Sequence, residues 1–130
     1  MNNVLTVSIN SFSYKRGIPE DNTGNGGGFV FDCRAINNPG KHEKYKSFTG
    51  RDEEINEFFD NEPEMHEFLR YSFSLIDQVV VKYLDRNFTH LMVNFGCTGG
   101  QHRSVYISEL LAEHFRTQHS KVTVRHRELG

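Results

Sequence analysis

The chain has 130 residues, 25% of them charged, with eleven phenylalanines and a formal net charge of −2. That is enough for one domain with a real core, and it supplies no global positive field to draw in nucleic acid. No apolar run reaches membrane-spanning length, and "MNNVLTVSINSF" lacks the basic-then-apolar layout of a secretion signal, so no membrane partner is expected.

In chain order, "VLTVSI" (4–9) alternates branched apolar and small polar residues and predicts a strand. "NSFSYKRGIPEDNTGNGGG" then reads as a long loop, glycine-rich from Asp21 to Gly28. "FVFD" (29–32) predicts a short buried strand, and the turn-rich "CRAINNPGKHEKYKSFTG" a second loop. Thr49 or Gly50 is expected to open a brief helix over "RDEEINEFFDN", with acids in its first turn as the helix dipole favours. A longer helix is predicted from Pro63 to Leu84, because proline in the first turn loses no hydrogen bond. Its apolar face would carry Met65, Phe68, Leu69, Ser72, Ile76, Val79, Val80 and Tyr83. "THLMVNF" (89–95) is the clearest strand. A helix from Gln101 to His119 would bury Val105, Ile107, Leu110, Leu111 and Phe115, and "KVTVRHR" (121–127) alternates as a last strand. Strands separated by helical crossovers predict a single α/β domain over 1–130: a small, mostly parallel sheet of about four strands flanked by helices.

In open parallel sheets, ligands sit beyond the carboxyl ends of the strands. With four parallel strands, "NSFSYKRG", "DCR", "GCTGGQHRS" and "RHR" would meet at one rim. The third has the best mechanism. Gly99 and Gly100 allow backbone shapes that aim successive N–H groups inward, and the following helix adds its positive end. Arg103 has the forked donors that suit a phosphate, while Thr98, His102 and Ser104 add more. A tight turn with its arginine paired to a carboxylate is the plain alternative. A third reading is catalytic. Cys97, five residues, Arg103 and Ser104 match the Cys-x5-Arg-Ser/Thr loop of protein tyrosine phosphatases, with Cys97 as nucleophile and Asp32 as general acid. Gly96 stands where that family has histidine, and no acid-loop signature follows.

The two cysteines, Cys33 and Cys97, form no metal-type pair, and a reduced, cytoplasmic setting is the simpler expectation. They would pair only if the second and third loops were neighbours. His42, His102 and His126 lack ligand spacing, so neither a metal nor a cofactor is expected. Any RNA contact would need a local patch, for which Lys15, Arg16, Lys121, Arg125 and Arg127 are the candidates. With only Phe12 and Tyr14 nearby, shape and backbone would be read rather than stacked bases. The alternative for these cations is a solvated face.

"SFSYKRGIP", "FDCRAINNPG", "FTGRDEE", "GCTGGQHRSVYISELLAEHF" and "VRHREL" together resemble the C-terminal domain of the RapZ family, bacterial RNase adapter proteins formerly described as nucleotide-binding P-loop proteins. The resemblance covers nearly the whole chain. It implies a module that binds small regulatory RNA, senses an amino-sugar phosphate, forms homo-oligomers and contacts an endoribonuclease. It implies a pocket of Asp32, Arg34, Thr98, Gly99, Gly100, His102 and Arg103. ATP or GTP binding would follow from the family label alone, since the chain has no G-x-x-x-x-G-K-S/T and "GNGGG" precedes a strand. The family's Asn-Pro-His appears here as Asn38-Pro39-Gly40, so the resemblance leaves the ligand's identity open.

Overall fold

A computed structural model describes residues 4–116 and 120–130. Its strands are β1 (Leu5–Ser13), β2 (Phe29–Asp32), β3 (His90–Cys97) and β4 (Ser120–His126). The helices are α1 (Glu53–Asp60), α2 (Pro63–Asp85) and α3 (Arg103–Arg116). The four strands form one sheet in the order β2-β3-β1-β4, and every pairing is parallel.

The α/β class and the parallel sheet stand as expected, and the boundaries move where tertiary pairing extends an element. Asn10 to Ser13, read above as loop, continue β1 because they pair with Asn94 to Cys97 of β3. Four polar or aromatic residues carry no period-2 signal of their own; β3 recruits them. Helix α1 begins at Glu53 rather than at Thr49 or Gly50, because the preceding residues form a closed turn. There Thr49 N–H donates to Asp52 Oδ2 at 2.7 Å and Arg51 N–H to Thr49 Oγ1 at 3.1 Å. Helix α3 starts at Arg103, two residues later than expected, and predicted helical residues 117–119 lie outside the described residues. Short 3-10 turns at Tyr14–Arg16, Pro39–Lys41 and Glu43–Tyr45 punctuate the predicted loops.

One apolar cluster joins sheet and helices. It unites Leu5, Val7 and Ile9 of β1 and Leu91, Val93 and Phe95 of β3 with Ile55, Phe59, Met65, Ile76, Val80, Ile107, Leu111 and Phe115 from the helices. Each large side chain buried this way contributes about 1.5–3 kcal/mol of transfer free energy. Alternate side chains of β1, β3 and β4, namely Ser8, Asn10, Met92, Thr123 and Arg125, line a hollow closed by residues of the 20–27 loop. Among the described residues, no helix is long and apolar enough to cross a membrane.

Candidate functional site

Because all four strands run the same way, their carboxyl ends share one edge, and the four expected segments meet there. Ser13 Oγ donates to the Thr98 carbonyl at 2.6 Å. Cys33 N–H reaches the Gly96 carbonyl at 2.8 Å, and Arg127 N–H the Ser11 carbonyl at 3.1 Å. Glu128 ties the first segment to the last, accepting from Ser13 N–H, Arg16 and Arg127. Burial alone would raise its carboxyl, but those three donors hold it below the ordinary carboxylate range.

The loop from Thr98 to His102 links β3 to α3. Of the adjacent glycines, Gly100 alone has a positive φ, +67°, and a Cβ there would lie 2.9 Å from the Ser13 nitrogen. Gln101 fastens the loop to its neighbour, donating from Nε2 to the Lys46 and Phe48 carbonyls at 2.8 and 2.7 Å. Among the described residues, none accepts a hydrogen bond from the backbone N–H groups of Thr98 to His102. A cavity of about 370 Å³ opens beside them, walled on its far side by Asn38, Gly40 and Lys46.

Arg103 is 4% exposed and lines this cavity. Its Nη1 donates to the carbonyls of Arg34 and Ile36 at 2.8 and 2.9 Å. Its Nε is buried with no partner, and no carboxylate neutralises the guanidinium among the described residues. A buried donor without an acceptor is uncommon in a folded protein and marks a place where one is wanted. His102 stands next to it, Nε2 donating to the Tyr45 carbonyl at 3.0 Å. Burial lowers its proton affinity, outweighing the backbone hydrogen bonds that favour the charged ring, and the Arg103 charge adds to the drop.

Of the residues expected at the pocket, Cys97, Thr98, Gly99, His102 and Arg103 line the cavity. Ser104 lies beneath it, fully buried, with its Oγ 3.1 Å from Cys97 Sγ. Gly100 turns toward Ser13 and Glu128 instead. Asp32 and Arg34 pair with each other, Arg34 Nε and Nη2 donating at 2.9 and 2.8 Å, while the Arg34 guanidinium covers the Tyr14 ring at 3.9 Å. Arg34 thus reaches Arg103 through its carbonyl, not its charge. Asn38, Gly40, Lys46 and Gln101 were not assigned to the site from sequence, since nothing local says that residues 38–46 fold against a loop sixty positions away.

The catalytic reading loses its general acid here. The hydrogen bond from Arg34 holds the Asp32 carboxyl below its ordinary range, against the opposing effect of burial, so it is ionised when a donor is needed. Cys97 is only 2% exposed.

The five basic residues do not assemble into one track. Arg16 and Arg127 both pair with Glu128, and Arg127 also donates to the Gly17 carbonyl at 2.8 Å. Lys121 pairs with Thr6 near the opposite end of the sheet, and Arg125 borders the hollow beneath the 20–27 loop. The three histidines go to separate neighbours. His42 packs on Tyr45 and Phe58, His102 meets the Tyr45 carbonyl, and His126 bridges Ser11 Oγ and Glu109 at 2.7 and 2.6 Å.

Fold and site together define a small parallel α/β domain whose distinguishing feature is a glycine-bent strand-to-helix junction opening on a polar cavity lined by a buried, partly unpartnered arginine. The profile of the RapZ C-terminal domain matches residues 5–130. The chain belongs to that family. It is 38% identical over 126 residues to a "Nucleotide-binding protein" of Hahella chejuensis, covering 97% of this chain and 42% of that protein. A protein of the same description from Chromohalobacter salexigens is 42% identical over 126 residues, with 97% and 41% covered. The "RNase adapter protein RapZ" of Serratia proteamaculans is 39% identical over 125 residues, with 96% and 42% covered. The chain thus spans about two-fifths of the length of these curated relatives.

Proposed function

We propose that the domain is a non-catalytic regulatory module that binds a phosphate-bearing small molecule, such as a sugar phosphate, at the junction of β3 and α3. The observation that carries this reading is Arg103, which lines the cavity and whose Nε is buried without a partner. With Nη1 committed to two carbonyls, Nε and Nη2 form the edge of the guanidinium that suits two phosphate oxygens. The N–H groups of the loop and the positive end of α3 favour the same charge. Thr98 supplies a hydroxyl, and His102, kept neutral by burial, keeps Nδ1 as an acceptor for a hydroxyl or amino group.

The test is titration of the labelled protein with inorganic phosphate and amino-sugar phosphates, following the amides of residues 97–104. Saturable shifts confined to that loop are expected. Absence of shifts at millimolar ligand refutes the reading. A phosphatase would instead release phosphate from an aryl phosphate and lose that ability on Cys97→Ser.

A second reading concerns RNA and rests on the name of the Serratia relative, an RNase adapter. We propose that RNA backbone contact, with an endoribonuclease as the further partner, uses the rim cations Lys15, Arg16 and Arg34 rather than all five basic residues considered above. A gel mobility shift that weakens steeply with salt is expected; no shift at low salt removes this part. Nucleotide binding, named for two relatives, does not follow for this chain, which lacks the phosphate-binding Lys-Ser/Thr motif.

A further inference from the structure

Asp32 of β2 pairs with Gly96 of β3, and Cys33 N–H then donates to the Gly96 carbonyl at 2.8 Å, which carries the parallel ladder one step further. That step sets Cys33 opposite Cys97. Facing positions on adjacent parallel strands lie about 4.8 Å apart, inside the 4.4–6.8 Å span of Cα atoms that a disulfide bridges. Side chains at facing positions point to the same side of a sheet, and both cysteines belong to the same core cluster as Phe95, with Phe31 packed against it. Both are free thiols, 0% and 2% exposed. Their surroundings differ in one respect: Cys97 borders the cavity, and Cys33 does not.

We infer that Cys33 and Cys97 form a reversible disulfide that couples oxidation to the state of the β3–α3 junction. The oxidant is a small hydroperoxide entering by the cavity. Cys97 sulfur attacks the peroxide O–O bond, giving a sulfenic acid and water (or an alcohol). Cys33 sulfur then displaces hydroxide from that sulfenic acid, the thiol proton leaves with it as water, and the S–S bond forms. A dithiol reductant reverses the change. Cys97 borders the cavity by which the peroxide enters and Cys33 does not, so Cys97 is the sulfur that reacts first and Cys33 the resolving partner, its thiol pushed well up by burial.

The link has consequences at the site because each cysteine opens one of its walls. Cys97 leads into the loop from Thr98 to His102, and its sulfur contacts Ser104 Oγ in the first turn of α3. Cys33 leads into the turn whose Arg34 and Ile36 carbonyls hold Arg103. Bonding the sulfurs takes Cys97 from Ser104 and draws the turn toward β3, which shifts the anchor of the arginine. Phosphate affinity should fall on oxidation. This last consequence rests on the proposed anion site; disulfide formation itself does not.

The experiment treats the full chain with hydrogen peroxide and counts alkylatable thiols by mass. The expected product has lost two hydrogens, has no free thiol, yields a Cys33–Cys97 cross-linked peptide and recovers both thiols with dithiothreitol. Inorganic phosphate should then bind at least threefold more weakly to oxidised than to reduced protein. Cys33→Val keeps an apolar side chain in the core and should bind phosphate as the unmodified chain does, without forming the cross-link. Retention of both thiols, or conversion of Cys97 to sulfinic acid with Cys33 still free, overturns the inference. A clean disulfide with unchanged phosphate affinity overturns the coupling. A clean disulfide in a chain that binds no phosphate in either state refutes the anion site and leaves the thiol chemistry standing.

Discussion

Replacing Arg103 with alanine tests the proposed anion site most directly. Two donors, Nε and Nη2, remain for a phosphate once Nη1 is engaged by the Arg34 and Ile36 carbonyls. Hydrogen bonds to charged groups contribute about 1.5–3 kcal/mol each, so losing both removes about 3 kcal/mol at the low end. At 1.4 kcal/mol per tenfold, phosphate affinity should drop roughly 100-fold or more. Removing the side chain also leaves two carbonyls without their donor, an expense of about 1–3 kcal/mol each where they stay dry. Calorimetric titration with inorganic phosphate should therefore be paired with urea unfolding, so that the affinity is read on folded protein. Arg103→Lys keeps the charge but not the fork, and should fall between the two. If folded Arg103→Ala binds phosphate within threefold of the unmodified chain, the unpartnered Nε does not mark a ligand site and the reasoning fails.

Gly50→Ala should destabilise the domain by about 3 kcal/mol in urea unfolding with an unchanged slope. Its Cβ would sit 2.3 Å from the Tyr106 nitrogen in α3 and 2.4 Å from the carbonyl oxygen of His102 just before it, backbone atoms that cannot swing aside. Gly100→Ala adds the strain of a left-handed backbone, about 1–2 kcal/mol, to a contact with Ser13, and should weaken phosphate binding as well. His102 makes stability depend on pH. Its folded affinity for a proton lies below the unfolded value of 6.5, so its contribution is fully present above pH 6.5, declines as pH falls beneath that value and levels off below the folded pKa. Thermal melts between pH 7.5 and 5 should show this slope, and His102→Gln should flatten it. Asp21 accepts from Thr23 N–H, Thr23 Oγ1 and Gly27 N–H, which hold its carboxyl at about 2. Its contribution is present above pH 3.8 and lost as pH falls toward 2; Asp21→Asn should speed proteolysis within residues 20–27 at neutral pH.

Much of the architecture was legible in the residues themselves. Alternation in "VLTVSI" and "KVTVRHR", the apolar run of "THLMVNF" and the helical spacing from Met65 to Tyr83 reflect a local rule, that apolar side chains must leave water. Helical crossovers from β2 to β3 and from β3 to β4 then favour a parallel sheet, and parallel strands bring their following loops to one edge. From this alone the Gly-rich junction with Cys97, Thr98, His102 and Arg103 could be singled out.

What periodicity could not supply is the choice of partners. Nothing near Asn10–Ser13 says strand; β3 decides it. Nothing near Arg34 says that its charge turns to Asp32 and Tyr14 while its carbonyl holds an arginine 69 positions away. Arg127 reads as one more surface cation until it turns to the Ser13 and Gly17 carbonyls, and nothing near Arg16 says that it meets Glu128, 112 residues away. Local sequence determines which side chains must leave water. Which donor meets which acceptor, and which buried donor is left without one, depends on distances that exist only after the chain has closed on itself.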